Sequence, residues 1–286
     1  GVTADGVGYC WGAGQFGQLG NGTALAYAAP VRVGVQGAFG PGAATSTPSG
    51  ATASPVPTGT PVVTGPATWS RLAAGNGFTC GLDSSGKAWC WGRNARGQLG
   101  NGTQSMTSGS TYGLDQSLPG AVTTSRSFAT IAAGGDHACA TSSTGAASCW
   151  GGNGQGQLGD GAGGTSQVWN NCCWWSTVEA QQLTPVEVAN SGSMRSIATG
   201  LTHSCALTAE GKAWCWGANQ NGQVGNASWV SPVLAPDAVY GIPSITIGVT
   251  TSVTRTSTAG PSPTRQPTAT PQPTPTLRPA NVSWST

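Results

Sequence analysis

Charge is what this sequence has least of. Of its 286 residues only 11 are Lys or Arg and 9 are Asp or Glu, or 7% of the chain, where about 25% is usual. A net charge of +2 cannot build the basic face that a phosphate backbone demands, so nucleic acid is set aside as a partner. The nine carboxylates are scattered, without the pairing that acid/base work uses. His137 and His203 are the two histidines; they are not spaced like metal ligands, and no C-x-x-C occurs. Neither a P-loop nor a nucleophile elbow is present. No apolar run approaches the roughly 18 to 20 residues that cross a bilayer. The expectation is a chain with no catalytic residue, no metal, no cofactor and no membrane span.

What is present is glycine, 46 residues of it, more than twice the usual share of about 7%. With abundant Ser, Thr and Pro, this favours turns and strands over helices. Nine cysteines stand at 10, 80, 90, 139, 149, 172, 173, 205 and 215. Cys80/Cys90, Cys139/Cys149 and Cys205/Cys215 share a spacing of ten. That regularity points to disulfides and an oxidising compartment, hence an extracellular or cell-surface location. No signal peptide stands at Gly1, so the chain reads as a mature or trimmed product.

The chain repeats itself. GVTADGVGYCWGAGQFGQLGNGT from Gly1 aligns with CGLDSSGKAWCWGRNARGQLGNGT from Cys80, CATSSTGAASCWGGNGQGQLGDGAG from Cys139 and CALTAEGKAWCWGANQNGQVGNAS from Cys205. WSRLAAGNGFTC, FATIAAGGDHAC and MRSIATGLTHSC precede the last three. The Gln of each G-Q-[LV]-G falls at 18, 98, 157 and 223, giving periods of 80, 59 and 66 residues, the size of a propeller blade or solenoid unit.

Each Cys-to-Cys stretch reads as a β-hairpin. If Cys80 faces Cys90, Leu82 faces Ala88 and Asp83 faces Lys87, leaving Ser84, Ser85 and Gly86 as a three-residue loop. Such loops combine a type I turn with a left-handed residue, the position Gly takes most easily. Gly6, Gly145 and Gly211 are its equivalents. Opposed strand residues lie inside the disulfide window, and each bridge would add roughly 2 to 3 kcal/mol. The Trp of each following Trp-Gly (Trp11, Trp91, Trp150, Trp216) suits a layer of rings wedged between sheets. In the turn after it, Leu offers an apolar plug and the Gln amide is expected to hold backbone groups.

G-x-x-H-x-C-A-L, the Gly-turn hairpin and W-G-x-N-x-x-G-Q-L-G-x-G together resemble the repeat of the regulator of chromosome condensation (RCC1-type) family, over about residues 1–36 and 67–240. The resemblance implies an all-β fold: a β-propeller, usually of seven four-stranded blades, or here a partial propeller of about four. It does not imply one function, because members include guanine-nucleotide exchange factors, β-lactamase inhibitor proteins and unassigned secreted proteins. No residue carries over as an exchange-factor site.

The chain begins inside a hairpin, and the alignment puts the expected partner of Cys10 immediately before Gly1. At the other end, Val282-Ser283-Trp284-Ser285 resembles Thr68-Trp69-Ser70-Arg71. Two expectations follow: a window cut from a longer array, or a C-terminal strand that closes the first blade.

Two inserts and a tail interrupt the repeat domain, 1–240. Residues 37–66 carry no charge and read as a disordered or polyproline II loop. Residues 241–286 read as an extended Pro/Thr/Ser-rich linker or stalk, suited to O-linked sugars as in hydroxyproline-rich algal and plant wall glycoproteins. N-linked sequons stand at Asn21, Asn101, Asn226 and Asn281. The insert 165–182 holds Trp169, Trp174 and Trp175, either an aromatic surface for sugar or a partner or a loop pinned to its blade. Its Cys172 and Cys173 are candidates for a vicinal disulfide, or for capture of Cys10. Covalent N- and O-glycans and self-association with this or other surface glycoproteins are the partners expected. The functional expectation is a secreted structural glycoprotein of a fibre, wall or flagellar appendage; the alternative is a secreted carbohydrate- or protein-binding propeller module.

Overall fold

The computed structural model describes residues 1–34, 65–105, 115–170 and 174–240, with the side chains of all of these except 166–170 and 174–178. The tail, Asn281, Cys172, Cys173 and the low-complexity insert up to residue 64 lie outside the described residues. Among the described residues the ordered elements are all strands, and no helix is long and apolar enough to cross a membrane.

Sixteen strands follow in chain order: β1 (Tyr9–Gly12), β2 (Tyr27–Arg32), β3 (Trp69–Ala74), β4 (Phe78–Asp83), β5 (Ala88–Gly92), β6 (Gln116–Ala121), β7 (Thr130–Ala133), β8 (His137–Thr141), β9 (Ala147–Gly152), β10 (Thr165–Asn170), β11 (Trp174–Glu179), β12 (Gln181–Glu187), β13 (Met194–Thr199), β14 (His203–Thr208), β15 (Ala213–Gly217) and β16 (Val233–Ala238). Three four-stranded antiparallel meanders result, β3-β4-β5-β6, β7-β8-β9-β12 and β13-β14-β15-β16. The first repeat contributes the two-stranded sheet β1-β2. Among the described residues the array is thus three complete blades and part of one more.

The cysteine spacing sets the register. Cys80 faces Cys90 and Leu82 faces Ala88; Cys139 faces Cys149 and Cys205 faces Cys215 in the same way. All three pairs are disulfide-bonded, with Cα atoms 4.1 Å apart. The three-residue loop closes as its sequence requires: the Asp83 amide donates to the Lys87 carbonyl at 3.0 Å, and Gly86 has φ +82. Gly6, Gly145 and Gly211 share that left-handed conformation, which costs a residue with Cβ roughly 1 kcal/mol or more.

A blade is too thin to have a core of its own, so the cores lie between blades. Cys80, Cys90, Leu82, Ala88 and Leu99 of one blade pack on Phe128, Ala138, Ala140 and Trp150 of the next. Cys139, Cys149 and Leu158 pack likewise on Met194, Ala206 and Trp216. The disulfides Cys80–Cys90 and Cys139–Cys149 therefore sit in the seams facing the following blades. The backbone joins there too, since the amides of Phe128 and Met194 donate to the turn carbonyls of Gly86 and Gly145 at 2.8 and 3.0 Å.

Candidate functional site

The most repeated chemistry of the molecule is its blade joint. Trp91 Nε1 donates to the Gln18 carbonyl at 2.9 Å, Trp150 Nε1 to the Gln98 carbonyl at 3.0 Å, and Trp216 Nε1 to the Gln157 carbonyl at 2.9 Å. In every case the indole belongs to one repeat and the carbonyl to the repeat before it. A second donor reaches the same oxygen at two joints: Thr79 Oγ1 on Gln18 at 2.8 Å and Ser204 Oγ on Gln157 at 2.9 Å. Ala138 holds that position at the middle joint and carries no hydroxyl.

The turn that offers this carbonyl is held by its own side chains. Gln18, Gln98, Gln157 and Gln223 each accept at Oε1 from the backbone amide two residues earlier, at 2.7 to 2.9 Å. Asn94, Asn153 and Asn219 accept at Oδ1 from the amides of Leu99, Leu158 and Val224, and those apolar residues are buried plugs. The glycine after each plug exists for close approach. A Cβ on Gly100 would lie 2.7 Å from the Trp150 indole.

The Asn of each described sequon also works in this turn. Thr23, Thr103 and Ser228 donate their amides to Asn21, Asn101 and Asn226 Oδ1, and Asp160 does the same for Ala162. Asn21 is 3% exposed and Asn226 8%; Asn226 Nδ2 also donates to Asp237 Oδ2 at 2.8 Å. Asn101 is the accessible member of the three.

His137 and His203 occupy equivalent places, as the alignment with Phe78 requires, and do not meet as a pair of ligands. His137 is fully buried, with Nε2 2.9 Å from Ser204 Oγ. Because that hydroxyl already donates to Gln157, it accepts from Nε2–H, and Nδ1 is left without a partner. Burial drives the imidazole pKa down to about 3, with the His203 charge adding to the effect. Burial also raises the Asp136 carboxyl, against a lowering hydrogen bond from Gln157 Nε2. No group of three or more His, Cys, Asp or Glu is arranged for a metal among the described residues.

The Trp-bearing insert is a two-stranded hairpin rather than a loop. β10 and β11 pair along their length, with Trp169 opposite Trp175 and Asn170 opposite Trp174. Its neck closes where the Ala180 amide donates to the Gly164 carbonyl at 2.9 Å. The insert is therefore 165–179; Gln181 and Gln182 belong to β12, paired with Gly152 and Gly151 of the blade.

The first repeat departs from the rest. Trp11 is 56% exposed whereas Trp91, Trp150 and Trp216 are 0%. Cys10, equivalent to Cys90, Cys149 and Cys215, is a free thiol, and burial pushes its pKa up to about 11.

Two family models, both described as the regulator of chromosome condensation (RCC1) repeat, match this chain. One matches residues 69–98, 128–157 and 194–223, the other 5–41 and 85–141. The chain belongs to the RCC1 repeat family. Its curated relatives include the bifunctional serine/threonine-protein kinase/NEDD4-like E3 ubiquitin-protein ligase of Dictyostelium discoideum, 28% identical over 158 residues, 55% of this chain and 8% of that protein. The mitochondrial RCC1 domain-containing protein RUG3 of Arabidopsis thaliana is 28% identical over 157 residues, 54% of this chain and 30% of RUG3. Probable E3 ubiquitin-protein ligase HERC3 of Homo sapiens is 30% identical over 160 residues, 55% of this chain and 13% of HERC3. The matched stretch is thus under a third of each relative, and its likeness to the ligases runs through RCC1 repeats. Among solved structures, yeast RCC1 (Prp20) bound to Kap60 superposes with a TM-score of 0.57 at 19% identity, covering 84% of this chain and 46% of that one. Prp20p of Saccharomyces cerevisiae gives 0.55 at 19% identity, over 82% and 46%. The RCC1-type array here is an all-β partial propeller.

Proposed function

We propose that this chain is a secreted structural glycoprotein, a subunit of an extracellular or cell-surface assembly in which RCC1-type blades serve as scaffold and not as catalyst. The observation that carries the reading is the disulfide that cross-links the central hairpin of each complete blade, fully buried at Cys80–Cys90 and Cys139–Cys149. Such bridges form and persist in oxidising compartments. The residues that make the repeat recognisable are engaged in blade joints and turns, which supports a scaffold role. The low charge, the accessible sequon at Asn101 and the Pro/Thr-rich tail support a surface carrying N- and O-linked sugars.

A second reading, a secreted carbohydrate- or protein-binding propeller, is favoured by one observation. Trp169 and Trp175 occupy directly opposed positions in a hairpin that lies outside the four-stranded pattern. Electron microscopy of native secreted material, with a glycan array run beside it, separates the two. Regular filaments or sheets support the assembly reading. A dispersed monomer retained on the array overturns it in favour of the binding module.

A further inference from the structure

Three of the described turns present the same acceptor pattern for an N-linked sugar: Asn-Gly-Thr from Asn21 and from Asn101, and Asn-Ala-Ser from Asn226. At Oδ1 the three side chains do the same work, each accepting from the amide two residues on. They differ at Nδ2, the atom to which a sugar is joined. Asn226 Nδ2 is engaged, donating to Asp237 Oδ2 at 2.8 Å, in a residue that is buried. Asn21 is buried as well. Asn101 is only half-buried. Its Oδ1 takes both the amide and the hydroxyl of Thr103, at 3.0 and 2.7 Å. Among the described residues no acceptor takes its Nδ2.

The fourth strand of the blade accounts for the contrast between Asn101 and Asn226. The residue facing the second cysteine of the hairpin is Gly120 in the second blade and Asp237 in the last. Asp237 supplies the carboxylate that holds Asn226, whereas Gly120 has no side chain with which to hold Asn101. The third blade shows what the turn itself needs. Asp160 stands there in place of the Asn, and its Oδ1 accepts from the Ala162 amide. The turn therefore requires the oxygen and leaves the nitrogen free for other chemistry. Around Asn101 the backbone is fixed across the joint to the third blade, where the Gly102 amide donates to the Leu183 carbonyl at 2.9 Å and Arg96 pairs with Glu179 at 2.7 Å.

We propose that the folded repeat domain accepts an N-linked sugar at Asn101 and excludes it at Asn21 and Asn226, so that its glycan stands at one joint, between the second and third blades. The inference rests on the glycoprotein reading for the presence of sugar and goes beyond it in assigning that sugar to one turn. In the transfer, Asn101 Nδ2 displaces the phosphate of an activated sugar phosphate at the anomeric carbon. The N–C bond forms as the C–O bond breaks, the phosphate departs with the bonding pair, and one Nδ2 proton passes to solvent. At Asn226 the same step would first have to take Nδ2 from Asp237 and then admit a sugar to a buried turn, which desolvates polar groups without partners.

The test offers the full chain, oxidised and folded, to a soluble N-glycosyltransferase that recognises Asn-x-Ser/Thr, with UDP-glucose as the donor. A second sample is reduced, alkylated and unfolded first, and peptide mapping reads each sequon separately. In the folded chain Asn101 should be modified at least tenfold faster than Asn21 or Asn226, and in the unfolded chain the three rates should converge. Asn101→Asp, which copies Asp160, should keep the turn and abolish modification of the folded repeat domain. Modification of folded Asn21 or Asn226 as fast as Asn101 overturns the proposal. So does a folded chain left bare at Asn101, or a tenfold preference that persists after unfolding. Enzyme and donor are supplied, so these outcomes do not depend on where the protein resides. Failure of the secreted reading would show separately, as free thiols at the six hairpin cysteines of native material.

Discussion

The indole nitrogen of Trp150 donates to the backbone carbonyl of Gln98 at 3.0 Å, across a blade joint and 52 sequence positions. Gln157 differs in that its carbonyl also accepts from Ser204. Trp150→Phe should therefore cost about 1 to 3 kcal/mol more than Trp216→Phe, because only the former strips a buried acceptor of its side-chain donor. Trp11→Phe, at an exposed position, should change stability by under about 0.5 kcal/mol. Urea midpoints of the three variants check this, and equal losses at Trp150 and Trp216 would refute the joint as described.

Gly100 and Gly102 form a matched pair for a second test. Both have positive φ, +64 and +82, so alanine is strained at either. Only Gly100 is crowded by the next blade; nothing lies within 4 Å of a Cβ at Gly102. Gly102→Ala should cost about 1 kcal/mol for the backbone alone. Gly100→Ala should cost about 1 to 3 kcal/mol beyond that through overpacking. Thermal melts of the two proteins compare the losses directly.

Acid should loosen the joint around His137. Its folded pKa is near 3, against about 6.5 unfolded, so the unfolded chain binds the extra proton first. Stability is complete above about pH 6.5 and is lost as pH falls toward 3, by about 3 kcal/mol at pH 4. Asp136 acts in the opposite sense, because burial raises its carboxyl and falling pH relieves that penalty. His137→Phe, which copies Phe78 of the second repeat, isolates the histidine. It should flatten the pH 7 to 4 stability profile, and a profile as steep as wild type would exclude His137 as its origin.

The disulfides should differ in how readily they are reduced. Cys80, Cys90, Cys139 and Cys149 are fully buried, while Cys205 is half-buried. Limiting phosphine followed by differential alkylation should open Cys205–Cys215 first. Removing either fully buried pair by double Cys→Ala substitution should cost about 2 to 3 kcal/mol. Simultaneous opening of all three would contradict the burial difference.

Much of this fold was legible because the repeat states its own register. A ten-residue spacing between paired cysteines, with glycine at the left-handed place, leaves one hairpin alignment, and the structure adopts it. The Gln amides and Leu plugs were equally readable. The indole-to-carbonyl bond was not, since a backbone acceptor leaves no mark on residue type. Trp11 looks like its three equivalents in sequence, and only its neighbours reveal that it is exposed. The insert, rich in Trp and Asn, gave no turn signal that would fix a hairpin ending at Glu179. The sequon asparagines hid a second role, because the turn needs the same side chain that a glycan would take.

The most direct test of a secreted, disulfide-seamed scaffold is a non-reducing peptide map of the protein collected from the medium of a eukaryotic secretory host. The account predicts the linkages Cys80–Cys90, Cys139–Cys149 and Cys205–Cys215, with sugar on Asn101 and on the Pro/Thr-rich tail. Recovery of these six cysteines as free thiols, or paired between different hairpins, would contradict it.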